Sequence, residues 1–291
     1  MGTAEGWLVT WLITGAGGML GTDLTLRLRD QDEHVVPLSR DRLDLRDASS
    51  VRAALREHRP ATVVNCASWT AVDDAETHEA EALEINGSSV SVLADTCADL
   101  GATLVQISTD YVFEGLGSDP YAEDSPTAPL NAYGRTKLAG ELAALATDSY
   151  VVRTAWLYGA HGANFVRTMM RLAAERETVD VVDDQYGQPT WTGDLSTQII
   201  RLVKSDAPAG IYHGTNAGRT SWRGLAQEVF ALLGLDPERV RPTTSDKFPR
   251  PAPRPSNSVL GHDRWSKAGM PPMRHWRDAL HAAWPELARN A

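Results

Sequence analysis

The stretch Gly15-Ala16-Gly17-Gly18-Met19-Leu20-Gly21 follows an apolar run over residues 7–14 and precedes a helical pattern. In that pattern Leu20, Leu24 and Leu28 recur on one face of the predicted helix. A strand, a glycine turn and a helix in this order form the usual phosphate-binding unit of dinucleotide-binding folds. The stretch therefore predicts a Rossmann-type sheet that begins at the amino terminus.

Each glycine of this stretch has a distinct predicted task. Gly15 makes the tight turn, Gly18 lets the backbone approach a pyrophosphate, and Gly21 lets the helix pack closely on the strand. The phosphates then lie at the positive end of the helix. The spacing is G-x-x-G-x-x-G rather than the commoner G-x-G-x-x-G, and a glycine-rich turn without a ligand is the alternative.

Strands and helices alternate through the first half of the chain. This alternation predicts a doubly wound, parallel α/β sheet, with ligands at the carboxyl ends of its strands. The predicted strands after the first are 34–38, 62–66, 103–108 and 149–153, and the predicted helices are 48–58 and 76–100.

The second half has shorter strands and more loops, which indicates a smaller α/β domain over the carboxyl edge of the sheet. We predict an NAD(P)-binding Rossmann domain over residues 1–155 and a mainly substrate-binding domain over 156–291, with some elements interleaved. Its predicted elements are the strand 179–184 and the helices 164–175, 192–204, 221–233 and 274–283.

The end of the second predicted strand carries Ser39 and Arg40, where NAD-preferring folds usually have an acidic residue. A hydroxyl and a guanidinium suit a 2′-phosphate and therefore favour NADPH. A solvated loop arginine is an equally good interpretation. Asp44, a few residues later, is positioned in the sequence to accept a hydrogen bond from an adenine amino group.

Composition and charge exclude several classes of protein. The net charge of −10 argues against nucleic-acid and membrane-surface binding, because both targets are anionic. The two cysteines, Cys66 and Cys97, fall in predicted buried segments and are expected to be free thiols. No apolar run approaches the roughly 20 residues that span a bilayer, and residues 1–6 do not resemble a secretory signal. We therefore expect a cytoplasmic protein.

Polar and aromatic side chains follow three of the predicted strands. They occupy the segments 67–73, 109–113 and 154–159. Because neighbouring parallel strands end at the same edge of the sheet, these segments are expected to form one pocket.

Tyr133 and Lys137 lie four residues apart in a segment predicted to be helical. Residues at i and i+4 share a face of a helix, so both side chains can reach one site. A nearby cation favours the phenolate, so we expect Lys137 to lower the pKa of Tyr133 toward the neutral range. Taken alone, the pair is more readily explained by a solvated helix surface.

With these residues assembled, the chain resembles the dTDP-4-dehydrorhamnose reductase family of the extended short-chain dehydrogenase/reductase superfamily. The resemblance extends over nearly the whole chain in the order of the family. The segments that carry it are 14–21, 65–67, 108–113, 133–141, 153–159, 184–190 and 254–255.

The resemblance implies reduction of the C4 keto group of a dTDP-linked 6-deoxyhexose by NADPH, with NADH as a possible substitute. It implies a catalytic trio of Thr109, Tyr133 and Lys137. Thr109 and Tyr133 hydroxyls would stabilise charge on the carbonyl oxygen, and Tyr133 would donate a proton to it. Lys137 would bind the nicotinamide ribose.

The complete predicted sites combine these arguments. The predicted cofactor site comprises Gly15, Gly18, Met19, Leu20, Ser39, Arg40, Asp44, Leu45, Ala67, Ser68, Tyr133 and Lys137. The predicted substrate site comprises Thr70, Val72, Asp73, Thr109, Tyr111, Tyr133, Trp156 and Arg254.

Two members of the substrate site have structural alternatives. Trp156 suits stacking on a sugar or a base, and its alternative is a core tryptophan. Arg254 suits the diphosphate, whereas the proline-rich segment 248–255 around it, including Arg250, is also typical of a semi-rigid loop without chemistry.

Some features of the family are altered here. Trp69 is bulky for a position beside the cofactor. Some members dimerise through a metal ion held by glutamates, but Asp23 and Gly193 stand at two of those positions, so we predict no metal site. A monomer or a homodimer is expected.

Two other functions fit the fold class. A sugar-nucleotide dehydratase or epimerase is the second interpretation, but dehydratases usually carry Asp-Glu after the catalytic threonine, where this chain has Asp110 and Tyr111. A non-catalytic NADP-binding regulatory subunit is the third. An intact catalytic trio counts against it.

Overall fold

The computed structural model describes residues 10–289. Residues 1–9 lie outside that range, and with them the predicted start of the first strand at Trp7 and the segment examined for a secretory signal. Within residues 10–289, no helix is long and apolar enough to cross a membrane.

The described chain alternates strands and helices from its start. The strands are β1 (Thr10–Thr14), β2 (His34–Leu38), β3 (Thr62–Asn65), β4 (Thr103–Thr109), β5 (Tyr150–Thr154), β6 (Leu157–Tyr158), β7 (Val179–Val182), β8 (Tyr186–Gly187), β9 (Thr190–Trp191), β10 (Gly210–His213), β11 (Thr220–Ser221) and β12 (Val240–Thr243). The α-helices are α1 (Met19–Arg29), α2 (Ala48–His58), α3 (Glu79–Leu83), α4 (Ser89–Leu100), α5 (Ala132–Leu145), α6 (Phe165–Glu175), α7 (Thr192–Val203), α8 (Trp222–Leu232), α9 (Asp263–Lys267) and α10 (Trp276–Arg289).

Six strands form one sheet in the order β10-β5-β4-β3-β1-β2. Every neighbouring pair in it is parallel. This confirms the predicted doubly wound α/β fold. The strand order reverses between β1 and β3, and ligands of such sheets bind outside the carboxyl ends of the strands at that point.

The central strands are apolar because helices cover both faces of the sheet. Val63 and Val64, which are consecutive in β3, are both fully buried. One faces a core that includes α2 and α4, and the other a core that includes α1 and α7. Continuous apolar strands are typical of such two-sided burial.

Elements from the second half complete this sheet. β10 pairs with β5, and α7 packs against α1. A separate core joins α6, α8 and α10 beyond the carboxyl edge of the sheet. The division of the chain at residue 155 remains a prediction.

Two predicted helices have different bounds in the structure. The helix predicted from residue 76 starts at Glu79, after a 3₁₀ turn over Asp74–Glu76, and has a π-helical segment over Glu84–Ser88. The last helix, predicted to end at residue 283, continues to Arg289 with Pro285 inside it. A proline usually ends a helix pattern, which explains the early predicted end.

Candidate active site

Three adjoining cavities lie along the carboxyl edge of the sheet. The first, which we term the cofactor cavity, has a volume of about 420 Å³ and is lined from the glycine turn to the end of β2. The second, the reaction cavity, has about 530 Å³ and contains the predicted catalytic trio. The third, the outer cavity, has about 370 Å³ and lies toward the second half of the chain. Gly18, Cys66 and Ser68 line both the cofactor and the reaction cavity, so the two adjoin.

Two glycines of the turn, Gly15 and Gly21, leave no room for a side chain. Gly15 has a φ of 62°, and a Cβ there would lie 2.6 Å from the Ala67 backbone nitrogen. A Cβ on Gly21 would lie 2.4 Å from the Gly15 carbonyl oxygen. Gly18 precedes α1 and no side chain caps that helix. The turn therefore presents backbone and a helix amino terminus to the cavity, which suits a pyrophosphate.

The end of β2 lines the other side of the cofactor cavity. The Ser39 hydroxyl donates to the Asp41 carboxylate. Arg40 has no hydrogen-bond or ion-pair partner among residues 10–289. The Arg46 guanidinium binds Asp44 and lowers the pKa of that carboxyl to about 2. The cofactor cavity thus contains the unpaired Arg40 guanidinium and the carboxylates of Asp41 and Asp44. Of these two carboxylates, only Asp44 was predicted from the sequence.

Helix α5 holds Tyr133 and Lys137 against the sheet. The Asn131 side chain caps the helix by accepting from the Gly134 amide at 2.8 Å. Gly134 approaches so closely that a Cβ there would lie 2.2 Å from the Tyr111 carbonyl oxygen. One turn further, a buried ion pair of 2.7 Å joins Glu141 to Arg153 of β5. These contacts set the depth at which the predicted pair enters the site.

Lys137 is buried beneath the cavity floor. Its ammonium donates to the Ile107 carbonyl oxygen at 2.7 Å and to the Ser68 hydroxyl at 3.3 Å. Burial lowers its pKa to about 8, and Glu141 opposes that change. Because an ammonium with this pKa is mostly charged at pH 7, Lys137 can hold hydroxyl groups of a ligand in the cavity.

The pKa of Tyr133 differs from the prediction. Burial raises it well above the usual value for a phenol, the Asp110 carboxyl raises it further, and a hydrogen bond with Thr109 lowers it. The expected lowering by Lys137 is absent because that ammonium is directed to Ile107 and Ser68. Tyr133 is therefore a protonated phenol at neutral pH, with its ring edge-on to Tyr111 at 5.8 Å.

Two predicted substrate contacts bind each other. The Arg254 guanidinium donates to the Asp73 carboxylate at 2.9 Å, across the outer cavity that both residues line. Arg250, predicted to lie in a loop without chemistry, also lines this cavity, with its guanidinium 4.0 Å from Asp73. An anion that binds Arg254 must therefore compete with an internal carboxylate.

Trp156 lies in an aromatic stack rather than alone. Its ring is parallel to Trp222 with centroids 3.6 Å apart, and Phe165 packs on Trp222 at 4.7 Å. The Trp156 backbone has a φ of 47°, which is uncommon outside glycine. A Cβ on Gly187 would lie 2.5 Å from the Trp156 ring. The stack forms a wall of the reaction cavity, and Trp222 lines the outer cavity as well.

The remaining predicted residues also line the three cavities. Leu45, Ala67 and Ser68 line the cofactor cavity, and Met19, Leu20, Thr70 and Val72 line the reaction cavity. Sequence reasoning missed Phe165, Met169, Trp222 and Phe248 of the outer cavity. No local pattern marks these residues, since each belongs to an ordinary helix or loop that reaches the site only through folding.

The two positions considered for a shared metal have other contacts. Asp23 accepts from the Thr192 hydroxyl, and a Cβ on Gly193 would meet Arg27 and Trp191. Within residues 10–289 no group of three or more histidines, cysteines, aspartates or glutamates is placed to hold a metal. The two cysteines are free thiols, as predicted.

Comparisons with known proteins agree with this geometry. The family described as RmlD substrate binding domain matches residues 9–289. A dTDP-4-dehydrorhamnose reductase of Streptomyces griseus is 54% identical over 288 residues, covering 97% of this chain and 95% of the relative. A dTDP-4-keto-6-deoxy-D-glucose reductase of Streptomyces niveus is also 54% identical, over 280 residues, covering 95% and 97%.

A solved structure is similar over almost its full length. The dTDP-4-dehydrorhamnose reductase of Bacillus anthracis in complex with NADP has a TM-score of 0.92 and 36% identity. The match covers 95% of this chain and 99% of that one.

Proposed function

The chain belongs to the dTDP-4-dehydrorhamnose reductase family, and we propose that it reduces the C4 keto group of a dTDP-linked 4-keto-6-deoxyhexose with NADPH. The observation that carries the proposal is the junction of the cofactor and reaction cavities. Thr109, Tyr133 and Lys137 all line the reaction cavity beside the residues that it shares with the cofactor cavity. A carbonyl bound there would lie between a nicotinamide and two hydroxyl groups.

The glycine turn fits a dinucleotide cofactor. The crowding at Gly15 and Gly21 is with backbone atoms, so the turn is shaped for a group that contacts main chain. In this proposal the pyrophosphate lies at the amino terminus of α1, and the unpaired Arg40 binds the 2′-phosphate. Asp44 and Leu45 bound the adenine end. When bound, NADPH supplies the hydride that reduces the sugar carbonyl.

Tyr133 acts as the general acid of the proposed reaction. Its high pKa keeps the phenol protonated until an alkoxide, which is a stronger base than a phenolate, forms on the sugar. The O–H bond of Tyr133 then breaks, and its proton forms the new sugar hydroxyl. Thr109, whose hydroxyl reaches Tyr133, stabilises the charge on the same oxygen.

Lys137 is proposed to bind the cofactor and not to lower the pKa of Tyr133. Its ammonium is held by a backbone carbonyl at the end of β4, at a depth suited to the ribose hydroxyls of the nicotinamide.

The sugar nucleotide is proposed to extend from the reaction cavity into the outer cavity. Thr70 and Val72 bound the hexose, and the Trp156 and Trp222 rings form its wall. Arg254 meets the diphosphate after exchanging Asp73 for phosphate oxygens. We also propose that Tyr111 contacts the substrate, since it lines both cavities.

The test is a direct assay of the purified chain with NADPH and a panel of dTDP-4-keto-6-deoxyhexoses. We expect loss of NADPH absorbance with at least one of them, and product stereochemistry at C4 follows from NMR. The corresponding dTDP-hexose without a keto group serves as the control substrate.

Two outcomes would contradict the proposal. If the protein binds NADPH but does not oxidise it in the presence of any keto sugar, a regulatory binding subunit is favoured. Conversion of dTDP-hexose to its 4-keto-6-deoxy product without added NADPH would favour a dehydratase. Our predictions of a cytosolic monomer or homodimer are independent of this assay, and light scattering tests the oligomeric part.

A further inference from the structure

Asp110 is a buried carboxyl group that the proposed mechanism does not use. It follows β4 directly and has 3% of its surface exposed. Its Oδ1 atom accepts from the Thr109 hydroxyl at 2.9 Å. Its Oδ2 atom is buried and has no hydrogen-bond partner among residues 10–289. An unpartnered carboxyl oxygen is costly in an apolar environment, so its presence calls for a physical reason.

The single proton that the Thr109 hydroxyl can donate is committed in this arrangement. A hydroxyl has one proton to donate and two lone pairs that accept. The Tyr111 amide donates to the Thr109 oxygen at 3.2 Å, and the Thr109 proton is directed to Asp110. The Tyr133 hydroxyl also interacts with Thr109. The Asp110 carboxylate therefore competes for the Thr109 proton with an oxygen in the reaction cavity. That oxygen belongs either to Tyr133 or to a bound carbonyl.

Resting on the proposed function, we propose that Asp110 is a positioning residue whose protonation state decides where Thr109 directs its proton. When neutral, Asp110 donates its own proton to Thr109, and the Thr109 proton is free to bond the sugar oxygen. When ionised, Asp110 accepts the Thr109 proton, and only Tyr133 is left to stabilise that oxygen. No bond to Asp110 changes during the reduction itself, since the transferred proton comes from Tyr133.

The surroundings of Asp110 favour its neutral form. Burial raises its pKa to about 6, although the hydrogen bond from Thr109 and the nearby Ser258 hydroxyl oppose the rise. The ionisable groups that face it are the phenols of Tyr111 and Tyr133, whose pKa values it raises in turn. The Ser258 hydroxyl comes from the segment after Arg254 and is 3.5 Å from the Tyr186 carbonyl oxygen.

The nearest cations are engaged elsewhere. Lys137 of α5 donates to a backbone carbonyl, and Arg254 pairs with Asp73. Neither cation contacts Asp110, so its charge is not neutralised by a fixed partner. The change of state therefore falls near pH 6, and the neutral form is present below that value.

The test compares the pH dependence of kcat/KM in variants of full-length protein. In the wild type we expect kcat/KM to rise about tenfold as pH falls from about 7 to about 5. Asp110→Asn places an amide of nearly the same shape beside Thr109, and the amide can donate at every pH. We expect this variant to lose the pH dependence in that window and to retain a rate near the acid plateau. Asp110→Ala should be slower at every pH.

Two further variants separate positioning from a structural role. Thr109→Val with Asp110 intact should also lose the pH dependence near 6, and adding Asp110→Asn to it should change nothing further. The exposed Asp119, on the loop that follows, is the matched control, and Asp119→Asn should keep the wild-type profile. If Asp110→Asn does not fold, the Thr109→Val profile decides.

The outcomes distinguish this inference from the proposed function. Persistence of the pH dependence near 6 in Asp110→Asn or in Thr109→Val overturns the inference alone. Equal losses in Asp110→Asn and Asp110→Ala at all pH values also overturn it, since they indicate a structural role. If the wild type does not consume NADPH with any keto sugar of the panel, the proposed function fails and the inference with it.

Discussion

The cofactor cavity and the outer cavity are built from different materials. The cofactor cavity is shaped by main chain, since a Cβ at Gly15 or Gly21 would collide with backbone atoms. The outer cavity is shaped by side chains, chiefly the rings of Phe165, Trp222 and Phe248. Main chain in a packed turn cannot adjust to a new ligand, whereas side chains can. The cofactor cavity is therefore expected to be the more rigid of the two.

The arginines that line the two cavities differ in whether they have an internal partner. Arg40 has no hydrogen-bond or ion-pair partner among residues 10–289, whereas Arg254 is bound to Asp73. Binding at Arg40 therefore requires no internal exchange. Binding at Arg254 gives up an ion pair, and part of the interaction energy is lost in that exchange.

The largest effect is expected at the boundary between the two regions. Tyr133→Phe removes the proton donor but keeps the ring, so kcat should fall by about 10³-fold while the Kd for NADPH is unchanged. Steady-state kinetics and fluorescence titration measure the two quantities. Tyr121→Phe, which alters a phenol outside the reaction cavity, is the control. Unchanged turnover in Tyr133→Phe would exclude the acid role.

A pair of glycine substitutions tests backbone against side-chain construction. Gly21→Ala forces a Cβ against the Gly15 carbonyl, so NADPH affinity should fall about 100-fold and unfolding free energy by about 1–3 kcal/mol. Gly187→Ala meets the Trp156 ring instead, and should raise KM for the sugar nucleotide only a few-fold. In both variants, calorimetric titration measures NADPH affinity, thermal unfolding measures stability and steady-state kinetics measures KM. Gly117→Ala, where the nearest atom is 3.8 Å away, is the control. Equal effects on NADPH affinity in Gly21→Ala and Gly187→Ala would contradict the comparison.

Charge reversal at Arg40 tests whether this side chain reads the 2′-phosphate. Arg40→Asp should lower the ratio of kcat/KM for NADPH to that for NADH by about 10–100-fold, since it replaces attraction by repulsion. Arg52→Asp on the exposed side of α2 provides a control of equal charge change. A ratio that stays constant would assign the phosphate to another residue.

The pKa of Lys137 predicts a second pH dependence, separate from that of Asp110. Because burial lowers this pKa to about 8, the ammonium loses its proton as pH rises through that value. We expect kcat to fall about tenfold between about pH 7 and about pH 9. Lys137→Met should show a low rate without this dependence. A wild-type profile that is flat across the same range would exclude Lys137 from the reaction.

The smallest effect is expected at Arg254. Arg254→Gln should raise KM for the sugar nucleotide several-fold, because its contribution is reduced by the exchange with Asp73. Asp73→Asn removes the competitor, and in that background the cost of Arg254→Gln should increase. Additive effects in this double-mutant cycle would contradict competition between the two partners.

Local sequence patterns account for much of the site. The glycine turn was predictable because a strand, a turn and a helix that are consecutive in the chain are also consecutive in space. Tyr133 and Lys137 were predictable because helix periodicity places them on one face. Thr109 and Trp156 follow from their positions at the ends of parallel strands. These arguments place the side chains at one edge of the sheet, whereas their catalytic and binding roles were implied by the resemblance to the family.

Apart from the bounds of two helices, the wrong or missing inferences concern the environment of a side chain. Lys137 was expected to lower the pKa of Tyr133, but its ammonium is held by Ile107 of β4, 30 residues away in the chain. Trp222 was overlooked because only folding brings its helix onto Trp156. Burial and competing partners decide such properties, and neither is a property of sequence spacing.

The sequence by itself thus predicted the parallel sheet and the glycine turn, because these depend on regular backbone geometry and on elements that are consecutive in the chain. The catalytic roles of Thr109, Tyr133 and Lys137 were implied by the resemblance to the family and remain a prediction. Only the tertiary structure decided that Arg254 is paired with Asp73, 181 residues away, and that Asp110 is buried with one unpartnered oxygen. The physical reason is that desolvation and ion pairing depend on everything that packs around a group. Those surroundings come together only when the two halves of the chain meet over the carboxyl edge of the sheet.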